Sequence, residues 1–142
     1  EILQIDTPEK IYEKPTSPKV ARQLGNPPIN LIDVEQVNSN WTARDGTPLM
    51  PTNLITEKKH VIGIRPENIT PYGGNSPAII RMVENLGPST ILLFEWAGSE
   101  IHLVITGEKR FKPGEKIFPK FDPSKTILWP KTPGLQTQKY EP

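Results

Sequence analysis

The sequence contains no cysteine in 142 residues, so neither a disulfide framework nor a thiolate metal site can form. That absence fits a reducing compartment, and the expected location is the cytoplasm. No apolar run approaches the roughly 20 residues that span a bilayer, and Glu1-Ile2-Leu3 does not read as the start of a signal peptide. An excess of either charge is missing too, because 17 basic and 16 acidic residues leave a net charge of +1. Without a global field to hold the chain on nucleic acid or anionic lipid, nucleic acid is not expected as a partner.

The chemistry-bearing motifs are equally sparse. Nowhere does G-x-x-x-x-G-K-[ST] occur, whose backbone N–H groups would cradle phosphates, nor an apolar strand ending in paired acids for magnesium. These residues are therefore expected to hold neither ATP nor any other cofactor, and not to act as an enzyme. Histidine occurs twice, as His60 and His102, each alone in a strand with no second ligand near it in sequence; a place on a strand face is the expected role of both, and no metal site. Serine, histidine and aspartate are present without the spacing of a nucleophile elbow.

Proline and glycine are abundant instead, at 17 and 10 residues. They break the chain too often for long helices and favour short strands joined by turns, so the expected fold is mainly β. The strongest strand in the middle of the chain is His60-Val61-Ile62-Gly63-Ile64, which Pro66 must stop because proline has no N–H to give to a ladder. Arg65, Pro66 and Glu67 then form a rigid corner with opposite charges on either side of it. Three further strands are expected at 78–84, 90–96 and 100–105, separated by Asn85-Leu86-Gly87-Pro88 and Ala97-Gly98-Ser99. Earlier, Leu31, Val34 and Val37 mark a strand and Trp41 to Arg44 another, with turns at Asn38-Ser39-Asn40 and Asp45-Gly46. Residues 47–59 read as a connection, 67–71 as a turn, 72–76 as a flexible loop, 116–122 and 126–129 as strands, and 130–142 as a fraying tail.

The first 25 residues differ. Thr7-Pro8-Glu9 and Ser17-Pro18 are helix starts, and Gly25 followed by Pro27-Pro28 ends the second helix. Two such helices, each below the roughly 12 residues at which an isolated helix becomes marginal, need a surface to pack on.

Four separated blocks carry a resemblance. Gln4-Ile5-Asp6-Thr7-Pro8-Glu9-Lys10-Ile11-Tyr12-Glu13-Lys14-Pro15, Leu24-Gly25-Asn26-Pro27-Pro28-Ile29-Asn30, Gly63-Ile64-Arg65-Pro66-Glu67 and Val83-Glu84-Asn85-Leu86-Gly87 resemble, in order and spacing, the C-terminal part of ATP-binding subunits of sugar-type ABC importers, the maltose-importer class. The resemblance departs from the family at Asp6, where glycine is usual. It implies that residues 1–25 are the end of a nucleotide-binding domain bearing two short helices. It implies likewise that 26–142 are the regulatory, transport-associated OB-like (TOBE-like) domain, a small β barrel. The implied role is regulation and dimerisation in carbohydrate uptake. The implied partners are a second copy of the chain, the nucleotide-binding domain, membrane permease subunits and a regulatory protein. The implied location is the cytoplasmic face of the membrane, where the full-length parent would use ATP and magnesium.

Within that frame the candidate site residues are few. Arg65, Pro66 and Glu67 are expected to close a strand-end corner with an ion pair, the competing reading being contact with a nucleotide domain or partner; a surface pair contributes less than about 1 kcal/mol. Ile79, Met82, Leu92 and Phe94 are the candidate interface, because strands 78–84 and 90–96 carry apolar residues on both alternating faces. Trp41, Trp96 and Trp129 are expected to pack in a core or interface rather than stack on a bound ring. A second reading, a module binding a small ligand or oxyanion, has Thr106-Gly107-Glu108-Lys109-Arg110 as its one candidate site. A third, an independent nucleic-acid binder, is opposed by the near-zero charge.

Overall fold

The structure is a computed structural model, and it describes residues 17–18, 27–52, 59–107 and 109–131. The helices expected within 1–25, the boundary at residue 25 and the tail beyond 131 lie outside the described residues.

Among the described residues, apolar and β-branched runs give twelve strands, as the proline-rich, mainly β composition predicts. β1 (Asn30–Val37), β2 (Asn40–Ala43), β3 (Pro48–Pro51), β4 (His60–Ile64) and β12 (Ile127–Pro130) form an antiparallel sheet in the order β12-β4-β1-β2-β3. β7 (Met82–Asn85), β8 (Ser89–Trp96) and β9 (Ser99–Thr106) form a second antiparallel sheet in that order. Two hairpins are closed by two-residue turns with positive φ at both positions, Asn38-Ser39 between β1 and β2 and Ala97-Gly98 between β8 and β9. Such turns match the twist of the strands they join.

Four short strands connect these sheets. β5 (Ile69–Thr70) pairs with β11 (Lys120–Phe121), and β6 (Ala78–Ile79) with β10 (Lys116–Ile117). The expected barrel is thus corrected: among the described residues the ladders form four separate sheets and none closes on itself. Proline is the reason, because Pro71, Pro77 and Pro119 interrupt the ladders and hold these pairings to two residues each.

The strand expected over 78–84 is divided for a related reason. Ile80 donates its N–H to the Glu115 carbonyl on one side at 2.9 Å, and Arg81 donates to the Leu93 carbonyl on the other at 2.8 Å. The segment therefore passes from one sheet into the next. The strand expected over 116–122 is likewise cut into β10 and β11, with Phe118 between them donating to Pro71 instead. Residues 48–51, read as connection, are a strand; the prolines at its two ends are tolerated because β3 is the outer strand of its sheet. Residues 67–71, read as a turn, fall instead on the end of the 3-10 turn Pro66–Asn68 and on β5.

Ile32, Ile62 and Ile64 from the first sheet meet Leu92, Phe94 and Leu103 from the second in the main core. Strict alternation along β8 turns Leu92 and Phe94 fully inward, where each contributes roughly 1.5–3 kcal/mol of burial free energy. A smaller cluster, Ile29, Leu31, Val61 and Trp129, also draws on the five-stranded sheet. Beside it Asp33 accepts from Lys131 at 3.0 Å, with both side chains about nine-tenths buried, and meets Arg44 at 3.2 Å. Among the described residues no helix is long and apolar enough to cross a membrane.

Candidate functional site

The corner predicted at residues 65–67 stands where the two large sheets meet. β4 is buried along its whole length, and its last carbonyl, that of Ile64, accepts from the Asn30 side-chain amide at 3.3 Å. The same Asn30 amide donates to the His102 carbonyl at 2.9 Å, while its oxygen accepts from the His102 N–H at 2.9 Å. A carboxamide has one acceptor and two donors in a plane, the pattern a peptide edge offers, so Asn30 acts as a strand rung between β1 and β9. Asn68 donates to the Arg65 carbonyl at 2.9 Å and closes the 3-10 turn, which packs on β9.

Within the corner the three residues have different surroundings. Arg65 is 3% exposed, Pro66 is fully buried and Glu67 is exposed. Arg65 is thus interior rather than at the surface. Of the three, Glu67 is the side chain a partner would meet.

The candidate interface divides in the same way. Ile79 and Met82 are exposed, at 51% and 59%, whereas Leu92 and Phe94 are at 0%. Leu92 and Phe94 are therefore core and not interface. The β8 residues facing outward are the intervening Ile91 and Leu93, which lie opposite Glu84 and Met82 of β7 and are half-buried.

All three tryptophans are buried, as the packing reading requires. Trp41 lies 4.8 Å from the buried His60 ring, and Trp96 lies 5.5 Å from Phe121 while donating to the Ser76 carbonyl at 3.2 Å. His102 is half-buried in β9. Among the described residues no group of three His, Cys, Asp or Glu side chains is placed to hold a metal.

In the oxyanion candidate, Thr106 to Arg110, the lysine is already engaged by neighbouring side chains. Lys109 Nζ donates to the Tyr72 hydroxyl, sits 4.6 Å from the Tyr72 ring centre and 5.0 Å from that of Phe111, and lies 3.9 Å from Glu115. The hydrogen bond to Tyr72 holds the ammonium above its ordinary pKa, and the Glu115 charge adds to the effect. Its positive charge is already matched within the chain. Glu108 lies outside the described residues.

Two features escape a sequence reading. Asn30 is 72 positions from His102, and no local pattern signals a side-chain rung over that distance. The outward alternation of Lys116, Phe118 and Lys120 was hidden inside a run read simply as a strand.

Comparison with known proteins agrees with this geometry. Residues 62–129 match the family model described as the TOBE domain. The match begins on β4 and ends on β12, whose residues Ile62 and Leu128 face each other in one ladder. The chain is 34% identical over 94 residues to the sn-glycerol-3-phosphate import ATP-binding protein UgpC of Bordetella avium, covering 63% of this chain and 26% of that protein. It is 35% identical over 123 residues to UgpC 2 of Agrobacterium fabrum, covering 82% and 33%. With UgpC of Paracoccus denitrificans it shares 29% identity over 126 residues, covering 85% and 35%. The chain thus spans about a quarter to a third of the length of the curated relatives it matches. The resemblance carried by the four sequence blocks is borne out.

Proposed function

Because residues 62–129 are a TOBE domain, we propose that the chain is the regulatory and dimerisation part of an ATP-binding subunit of a sugar-type ABC importer, with an OB-like fold. The observation that carries this reading is the family match itself, which runs from β4 to its ladder partner β12 and includes the Gly63–Glu67 corner. The solute class that fits the relatives' names is a polar, phosphorylated polyol of the sn-glycerol-3-phosphate kind, within carbohydrate uptake more broadly. The full-length parent would work at the cytoplasmic face of the membrane with permease subunits. Its nucleotide-binding domains would use ATP and magnesium.

Dimerisation is supported by β7. It is an outer strand of its sheet among the described ladders, and its Met82 and the following Leu86 are 59% and 50% exposed. Edge strands of monomers are ordinarily blunted by charged side chains, above all lysine, or by proline; Met82-Val83-Glu84-Asn85 has the one charge of Glu84 and no lysine or proline. A two-fold pairing would bury the same patch on both copies, with about 800 Å² a side sufficing for specificity. Light scattering from micromolar to near-millimolar concentration is expected to show a rise from monomer to dimer mass, and Met82→Lys to suppress it. A monomer mass throughout would reject dimerisation by this domain alone.

The nucleotide chemistry is assigned elsewhere in the parent. Calorimetric titration of these 142 residues with Mg-ATP is expected to be flat, since the sequence has no phosphate-cradling motif. Saturable micromolar binding would overturn that assignment. The oxyanion-binding alternative gains nothing from Lys109, whose contacts with Tyr72 and Glu115 occupy it.

A further inference from the structure

Charge is distributed unevenly along the chain. Between Lys109 and Lys125 there are six basic and two acidic residues, a net +4 within a chain whose total is +1. The rest of the protein is therefore net acidic, at −3. Residues 116–121 alternate strictly between exposed and buried: Ile117, Pro119 and Phe121 enter the protein, and Lys116, Phe118 and Lys120 face out. Two cations thus flank an exposed aromatic ring at the two-residue spacing of an extended chain.

The stripe is held rigidly. Phe118 donates its N–H to the Pro71 carbonyl at 2.9 Å, and its own carbonyl accepts from Gly74 at 3.0 Å. The loop carrying Gly74 lies so close that a Cβ there would stand 2.0 Å from the Pro119 oxygen. Both backbone groups of Phe118 are thereby fixed, and its ring is presented without a large ordering cost on binding.

Beside the stripe runs an open groove of ≈ 690 Å³, with Pro77, Ile79, Pro113 and Lys116 among its lining residues. Ile79 lies directly opposite Lys116 in the β6–β10 ladder and is 51% exposed. Arg81 and Glu95 also line the groove, and Arg81 is 2.9 Å from Glu100 and 4.0 Å from Glu95. Among the described residues, Lys116 and Lys120 are cations of this surface with no ion pair.

We propose that this stripe and groove bind an extended acidic segment of a partner protein, with apolar side chains on Ile79 and Phe118 and carboxylates on Lys116 and Lys120. Charge complementarity favours that occupant. The proposal rests on the reading of the domain as regulatory and gives its regulator a chemistry.

The test uses the isotope-labelled 142-residue chain, titrated with a short peptide that alternates glutamate with leucine. Saturable shifts are expected at Ile79, Phe118 and the flanking amides. The paired variant Lys116→Glu with Lys120→Glu should weaken binding by at least about tenfold. Phe118→Ser should weaken it with an unfolding midpoint like that of the parent chain. The proposal is overturned by absence of saturation, by equal binding of a lysine–leucine peptide, or by tighter binding of a single-stranded oligonucleotide or anionic vesicles at the same ionic strength. Molar mass read in the same samples follows dimerisation separately, so loss of peptide binding with a dimer intact rejects the docking surface alone.

Discussion

Asn30→Leu is expected to destabilise the protein by on the order of 3 kcal/mol, because it leaves buried polar groups without their partner. The side-chain amide satisfies the N–H and the carbonyl of His102 and also the carbonyl of Ile64, and Asn30 itself is 3% exposed. Leucine has the same branched heavy-atom skeleton as asparagine, with bulkier methyl ends, and supplies none of these bonds. The loss should lower the urea midpoint by about 1–2 M at the m-values usual for small domains. Asn30→Asp tests the geometry from another side, since it keeps the acceptor for His102 but removes both donors and adds a buried charge. Amide exchange gives the specific signature: the His102 N–H should lose protection more than those of Leu92 and Phe94. An unchanged midpoint, or unchanged exchange at His102, would show that Asn30 does not join the sheets.

How legible this arrangement was depends on the length over which each element is decided. The strands at 60–64, 89–96 and 99–106 follow from apolar runs and from turn residues next to them, and Pro66 fixes the end of the first. The four two-residue strands depend on partners tens of residues away, as Lys116 does on Ile79 and Lys120 on Thr70. No local pattern specifies them. Sequence alone puts Leu92 and Phe94 on a candidate interface because Ile91 to Phe94 is apolar at every position, and alternation cannot choose a face when both faces are apolar. Register chooses it: Leu92 lies between Val83 and Leu103, and Leu93 between Met82 and His102. The family blocks reached the right domain through Gly63–Glu67 without revealing that Arg65 is interior. The burial of the tryptophans follows from their large area, although only the fold decides the surroundings of each.

Gly63 makes the second large prediction, since glycine in the interior of a buried strand weakens it unless something needs the space. Trp129 needs it. A Cβ on Gly63 would stand 2.6 and 2.8 Å from indole carbons of Trp129 and 3.2 Å from Ile29 Cδ1. β12 lies beside β4, with Trp129 opposite Val61 and Ile127 opposite Gly63, so the ring lies diagonally across the glycine. The indole is 8% exposed and wedged in a small cluster with Ile29, Leu31 and Val61, so it has little room to retreat. Gly63→Ala should cost about 1–3 kcal/mol through overpacking, and Gly63→Val more. Trp129→Leu alone should also destabilise, by removal of buried aromatic area. Combined with Gly63→Ala, however, it vacates the space the new methyl requires. The double variant is therefore expected to be more stable than the sum of the two single losses by on the order of 1 kcal/mol, measured from urea midpoints by circular dichroism. Strict additivity would mean that the glycine is needed for its backbone alone, and the pairing of Gly63 with Trp129 as the reason for glycine in this strand would have to be abandoned.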